Sequence, residues 1–260
     1  MFKPLPDQPD YETSGDRSPQ ATLFMPARNR LDYVSDALRS ALDQTGIVLE
    51  ILILDDASED DTPSLILNTL QQHTRHPHTV KFWRGRTRRA NDVTATLIDK
   101  ASCDFCIAQH DDDISLPNRA QRLYQTHLET GATVLATDFN PITSNGSNEP
   151  AEERPQFSGF ITPQTLIESQ GDYVVGATFA FNYRELRQFP RLDTSYLNFP
   201  QDRFTAFRGT LLGGYYHLPE ILIKYRRHQG QWSARMADFK NTGSMKISHL
   251  GLLMTFTHAM

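Results

Sequence analysis

Three successive carboxylates, Asp111, Asp112 and Asp113, end a short apolar run that begins at Phe105, and a helix start (Ser115, then Pro117) follows at once. Like charges side by side repel, so a folded chain holds them where water or a bound cation offsets the repulsion. Carboxylate oxygens delivered to one point suit hard divalent ions such as Mg²⁺ or Mn²⁺. The same residues would also serve as a solvated acidic turn before a helix, where Asp and Ser are favoured. A second acidic pair, Asp55-Asp56, ends another apolar run, Val48 to Leu54. The two cysteines, Cys103 and Cys106, have the C-x-x-C spacing of a redox pair or half a zinc site. With no second pair in the chain and Cys106 inside the apolar run, buried reduced thiols are expected instead.

The elements that must position these carboxylates alternate between the two hydrophobic periods. Ala21 to Met25 reads as a strand closed by Pro26, and Leu31, Val34, Leu38 and Leu42 follow at helical spacing. Val48 to Leu54 is a second strand; Ser58 to Asp61 is a turn, and Thr62-Pro63 starts a helix through Leu65, Ile66 and Leu70. Val80 to Trp83 is a third strand, followed by the basic loop Arg84 to Arg89 and a helix over Val93 to Ala101. Phe105 to Gln109 is the fourth strand. Pro117 to Glu129 is helical, with Leu123, His127 and Leu128 near one face and Gly131 as its stop. Thr133 to Thr137 is again strand-like. Such alternation predicts an α/β fold, a parallel sheet with helices on both faces. Ligands bind beyond the carboxyl ends of the strands in such sheets, which places Asp55-Asp56 and Asp111 to Asp113 as candidates for one site. Past residue 139 the pattern breaks: Asn140 to Gln156 reads as a loop, Val174 to Phe181, Tyr215 to His217 and Ile221 to Tyr225 as strands, and Arg203 to Arg208 as a helix.

A chain of 260 residues has ample length for a large core, and 38% hydrophobic with 22% charged residues is ordinary for a globular protein. A net charge of -5 offers no general attraction to nucleic acid or to an anionic membrane. No apolar run approaches a membrane-spanning length, and the polar, Pro-rich start lacks the core of a secretion signal. A reducing, cytoplasmic setting is therefore expected. Residues 1–20 show no hydrophobic period and read as a tail or loose strap outside the core.

Six motifs in order give this chain a resemblance to the family 2 glycosyltransferases of the GT-A fold. Phe24-Met25-Pro26-Ala27-Arg28-Asn29-Arg30 is similar to the family's opening strand and loop. Leu38 to Thr45 resembles its first helix, and Ile53 to Asp60 its "hhDD-G/A-S-x-D" segment. Asp111 to Arg119 resembles the metal segment, Phe199 to Arg208 the later "E-D-x-x-x-x-x-R" element, and Tyr225-Arg226-Arg227-His228 with Trp232-Ser233 the "Y-R-x-H" element. Three departures stand out. His110 occupies a position where members often have Asp, and Gln201 replaces a usual Glu. Arg88, Arg89 and Asn91 occupy the region of a missing Gly- and Asn-containing helix start.

The resemblance implies a GT-A-like, Rossmann-type, mostly parallel sheet flanked by helices on both faces. It divides the chain into a tail (1–20), a nucleotide-sugar half (21–138), an acceptor half (139–232) and a helical C-terminal segment (233–260). It implies inverting transfer of a sugar from a nucleotide-sugar, a UDP-sugar by expectation, to a glycan or lipid-linked acceptor on the cytoplasmic side, at the inner face of a membrane if the acceptor lies there. Mn²⁺ or Mg²⁺ would be held by Asp112 with Asp111, and His228 would be a further metal or phosphate contact. Pro26, Ala27, Arg28, Asn29 and Asp111 would line the nucleotide-sugar pocket, with Asp55 on the pyrimidine and Asp202 as general base. Turn capping after the second strand would fall to Asp56 and Ser58. The basic loop is expected to be a solvated face. Trp232 suits either a sugar platform or a core anchor. The C-terminal segment, with Ile247, Leu250, Leu253 and Met254 at helical spacing, would pack on the domain, with subunit or membrane contact as the alternatives. Two rivals share these acidic strand ends: a non-catalytic nucleotide-sugar or glycan-binding module, and a metal-dependent nucleotidyltransferase.

Overall fold

The structure, a computed structural model, describes residues 6–85, 90–150, 157–169, 173–190 and 201–231. Its strands are β1 (Tyr11–Thr13), β2 (Ala21–Ala27), β3 (Leu49–Asp56), β4 (Thr79–Gly85), β5 (Phe105–Ala108), β6 (Ile114–Ser115), β7 (Val134–Ile142), β8 (Gly159–Phe160), β9 (Ala180–Asn182) and β10 (Tyr215–Arg226). Its helices are α1 (Val34–Leu42), α2 (Thr62–Gln72), α3 (Ala90–Asp99), α4 (Arg119–Thr130), α5 (Pro163–Glu168), α6 (Tyr183–Leu186) and α7 (Gln201–Leu211), with a 3-10 turn at Gly176–Thr178.

The strands form one sheet in the order β1-β4-β3-β2-β5-β9-β7-β10-β6, with β8 also on β10. Strands β4, β3, β2 and β5 run parallel, as do β7 and β10, while β9 is antiparallel to both β5 and β7. Alternation along each strand divides the core in two. Leu23, Met25, Ile51, Ile53, Val80, Phe82 and Ile107 face α1, α2 and α4 through Leu38, Leu42, Ile66, Leu70 and Leu123. Phe24, Leu52, Leu54, Trp83, Cys106 and Ala108 face the other way, with Val93 and Leu97 of α3 and Phe204 and Phe207 of α7. The chain steps outward from β2 to β3 to β4, then crosses back through α3 to β5 on the other side of β2. Right-handed crossovers in opposite directions put their helices on opposite faces, and the reversal opens a crevice at the carboxyl ends of β2 and β5.

Several expectations are corrected. Residues 11–13 of the proposed tail add a strand to the sheet edge, where Asp10 accepts from the Arg84 amide at 2.7 Å. Ser115 and Pro117 do not start the helix: Ser115 pairs with Ile223 of β10, and α4 begins at Arg119. Leu128 is exposed, because five residues on from Leu123 it has turned away from the face that His127 shares by stacking on Phe105. Asn140 to Ile142 continue β7 instead of opening the loop. Val174 to Phe181 is not one strand, since the 3-10 turn precedes the short β9. Tyr215 to Tyr225 is one strand with two irregularities. Gly131 stops α4 as expected, at φ 69°. Both cysteines are free, Cys106 buried and Cys103 half-buried, and burial raises both thiol pKa values. Among the described residues, no helix is long and apolar enough to cross a membrane.

Candidate functional site

Beyond the end of β5 the chain does not make a solvated acidic turn. Asp112 and Asp113 are 6% and 0% exposed. What holds them is a set of arginines and one histidine drawn from distant parts of the chain. The short β6 places the acidic loop against the end of β10, where the Arg226 amide donates to Asp113 Oδ1 at 2.8 Å. The buried Arg226 side chain donates through Nε to the Asp112 carbonyl (2.9 Å), through Nη1 to the Ser144 carbonyl, and through Nη2 to Asp36 at the start of α1. Two residues on, His228 Nε2 lies 2.9 Å from Asp112 Oδ2. The Tyr33 ring packs at a tilt against the His228 ring, with centroids 4.6 Å apart, and carries the Arg226 guanidinium on its face.

The loop after β2 supplies the other wall. The Arg28 amide donates to Asp111 Oδ2 at 2.9 Å, and Arg30 Nε donates to Asp111 Oδ1 at 3.1 Å while lying 3.5 Å from Asp112 Oδ2. The Arg28 side chain is half exposed and reaches Asp56 at 3.7 Å. Asn29 adopts φ 49°, a left-handed conformation that Asn tolerates, and its side chain accepts from the Glu59 amide. Pro26 and Ala27 complete β2 beside Leu54 and Asp55. Asp55 caps the turn after β3, with Ser58 as expected: it accepts from the Ser58 amide at 3.2 Å and from Ser58 Oγ at 2.5 Å, across Ala57 at φ 54°. A carboxylate followed by two residues and a Ser forms this local turn whatever lies beyond it.

The electrostatics separate the three neighbouring acids. Burial, with the charge of Asp112, pushes Asp111 up to about 7 against the pull of Arg30. Burial also works to raise Asp112, but His228, His110 and Arg30 together hold it below the usual carboxylate range. Burial and the charge of Asp112 raise Asp113 well above that range. Burial likewise raises Asp55 despite its bonds from Ser58.

Asp202 lies in the first turn of α7 and packs on Gly176, where an added Cβ would sit 3.1 Å from Asp202 Oδ2. Burial raises its pKa; the Arg203 amide, which donates to Oδ1 at 2.8 Å, works in the other direction. The fully buried Arg119 ties this region to the acidic loop, donating through Nη2 to the carbonyls of both Ala108 and Ala177 at 2.8 Å. Its Nη1 donates to Ser115 Oγ, which in turn donates to Gln109.

Thus Asp111, Asp112, His228 and the loop of Pro26, Ala27, Arg28 and Asn29 come together and Asp55 lies one strand over from β2, while Asp202 packs on the 3-10 turn that Arg119 ties to the acidic loop. Arg30, Tyr33, Arg119 and Arg226 were missed as members of the site. Arg30 and Arg226 stood inside recognisable motifs, but nothing in their spacing said that they would turn toward the acidic loop. Arg86, Arg88, Arg89, Phe199, Pro200, Trp232 and the segment 233–260 lie outside the described residues, and so do the side chains of Asn91 and Gln201.

The arrangement suits a divalent cation. Asp113 Oδ2 is buried with no hydrogen-bond partner, and a guanidinium already sits on Asp111 and Asp112 as a counter-charge. His110, Asp112 and Asp113 each bring one ligand-type atom within 4.8 Å of the others.

A family model described as Glycosyl transferase family 2 matches residues 22–206. The succinoglycan biosynthesis protein ExoO of Rhizobium meliloti is 24% identical over 166 residues, 61% of this chain and 46% of that protein. The chondroitin synthase of Escherichia coli is 30% identical over 150 residues, 55% of this chain and 21% of that protein. The chain thus spans less than half the length of these relatives. S. aureus TarS 1-349 in complex with UDP-GlcNAc superposes with a TM-score of 0.63 at 16% identity, covering 82% of this chain and 60% of that one. The mannosyltransferase PcManGT of Pyrobaculum calidifontis, in complex with GDP-Man and Mn²⁺, gives 0.59 at 14% identity, covering 92% and 64%. At these identities the two structures establish likeness of fold.

Proposed function

The chain belongs to glycosyl transferase family 2, and on that premise we propose that it transfers a sugar from a nucleotide-sugar, most simply a UDP-sugar, to a glycan or lipid-linked acceptor with inversion. The observation that carries the reading is Asp112, held at the carboxyl ends of β2 and β5 between His228 at 2.9 Å and Arg30 at 3.5 Å. That is where a sheet of this topology binds its ligand. TarS, of the same fold, is known in complex with UDP-GlcNAc, which supports the choice of donor.

Each residue has a task in this reading. Asp55 accepts a hydrogen bond from the base, and the loop from Pro26 to Asn29 lines the nucleotide. Asp112, with His228 and Asp111, would hold Mn²⁺ or Mg²⁺, which supplies Lewis-acid neutralisation of the leaving diphosphate when bound. Arg30 must turn away from the two carboxylates as that charge arrives, which frees it to face a phosphate. Asp202 takes the proton of the acceptor hydroxyl as that oxygen bonds to the anomeric carbon, and the bond to the diphosphate breaks on the opposite side, its electron pair leaving with the phosphate oxygen. Burial suits Asp202 to this role by raising its proton affinity above that of an ordinary carboxylate.

Titration calorimetry with UDP, with and without Mn²⁺, tests the site. The wild type should bind UDP in the presence of Mn²⁺, and Asp112→Ala should lose that metal-dependent binding. A screen of UDP-sugars should then release UDP; release of pyrophosphate instead would indicate nucleotidyl transfer. Failure of the wild type to bind UDP under either condition would refute the donor assignment.

A further inference from the structure

Both oxygens of Asp111 are engaged, Oδ2 by the Arg28 amide and Oδ1 by Arg30. The opposite side of Asp112 is different. Asp113 Oδ2 is buried without a hydrogen-bond partner, and the His110 ring stands beside it, its Nδ1 3.6 Å away. Two ligands on one small divalent ion lie about 3 Å apart when adjacent and about 4.2 Å when opposite, given bonds of about 2.1 Å. The spacing between His110 and Asp113 falls inside that window, and Asp112 completes the trio within 4.8 Å.

We infer that His110 is a nitrogen ligand of the bound divalent cation, acting with Asp112 and Asp113, and that it biases the site toward transition ions such as Mn²⁺ over Mg²⁺. The inference rests on the proposed cation-dependent reading of the same site. Imidazole binds transition ions well, whereas Mg²⁺ favours carboxylate and water oxygens and dehydrates reluctantly. A neutral imidazole also adds a ligand without adding a fourth negative charge to a loop that already carries three carboxylates. The His110 side chain is 42% exposed, so its replacement opens no cavity in the core.

Direct metal binding tests this without reference to turnover. Mn²⁺ is titrated into the wild type, His110→Ala, His110→Asp, His228→Ala and Asp112→Ala, followed by electron paramagnetic resonance, with electron-spin-echo modulation used to read nitrogens on the ion. The wild type should show imidazole nitrogen modulation, which His110→Ala reduces while lowering Mn²⁺ affinity about tenfold or more. His228→Ala should retain the His110 contribution. His110→Asp should still bind, but with a Mn²⁺-to-Mg²⁺ preference about tenfold lower. Modulation identical in the wild type and His110→Ala, or an unchanged preference in His110→Asp, overturns the inference. If Mn²⁺ binds and Asp112→Ala abolishes it while His110→Ala does nothing, the cation-dependent reading survives and only the role of His110 fails. Absence of Mn²⁺ binding by the wild type would refute both.

Discussion

Asp202 carries the heaviest chemical assignment on a single side chain. It sits where a helix-start Asp is ordinary, yet it is turned against Gly176 and burial raises its proton affinity. The sign follows directly: a base works only when deprotonated, so the rate should fall as the pH drops through a pKa above the usual carboxylate value. For Asp202→Asn we expect kcat to drop about 10²- to 10⁴-fold with UDP affinity in Mn²⁺ nearly unchanged, and the acid limb of the pH–rate profile to disappear. Loss of UDP affinity with kcat intact would place Asp202 in donor binding instead. Asp55 shows the limit of reading one residue from its neighbours. Its position at a strand end was plain, but its two bonds from Ser58 mean that a turn-capping role and a base-binding role fall on the same carboxylate.

Among the elements, the connection between α4 and the 3-10 turn matters most, because it links the two halves of the sheet. Arg119 projects from the first turn of α4 and holds Ala108 at the end of β5 and Ala177 in the 3-10 turn with one nitrogen. Desolvation brings its own pKa down to about 10, partly opposed by the charge of Asp113. Arg119→Met would keep the volume but leave the two carbonyls, Ser115 Oγ and the Asp113 charge without it. Breaking one side of a buried charged network costs about 3–5 kcal/mol, so urea denaturation should show a loss of that order. Arg119→Lys should recover part of the stability and little of the fork geometry. A loss under about 1 kcal/mol for Met, the scale of an exposed pair, would show that the link is dispensable.

For the molecule as a whole, acid sensitivity should come in part from the end of the sheet opposite the site. His78 is buried, its Nδ1 accepts from the Leu49 amide at 3.2 Å, and desolvation followed by the charge of His76 lowers its pKa to about 4. The unfolded chain takes up this proton near pH 6.5 and the folded chain only near 4. Stability from this group is therefore complete above about 6.5 and declines as the pH falls to about 4, by at most about 1.4 kcal/mol per pH unit. Asp111, raised in the fold, contributes with the opposite sign over an overlapping range, so the comparison must be differential. Urea midpoints at pH 7, 6 and 5 should fall more steeply for the wild type than for His78→Gln; parallel slopes would exclude His78 as the cause.

Hydrophobic period, strand ends and turn residues were enough to reveal the first half of this protein. β2 to β5 and the intervening helices were readable because β2, β3 and β5 are mostly apolar runs buried on both faces, β4 carries the apolar cluster Phe82-Trp83, and each helix repeats its apolar positions every three or four residues. The two acidic strand ends could be paired for the same reason, since parallel strands bring like ends together. The second half was less legible. Short strands such as β8 and β9 carry too few residues to show a period, and their antiparallel pairing, β9 with β5 and β7 and β8 with β10, depends on partners far away in the chain. The charge state of the site was also beyond local reading. Whether Asp111, Asp112 and Asp113 form a solvated turn or a buried centre depends on Arg30, Arg226 and His228, which are 81 to 116 residues from the carboxylates they meet. A sequence states which side chains are ionisable; only their tertiary neighbours decide how much water and how much opposing charge each one keeps.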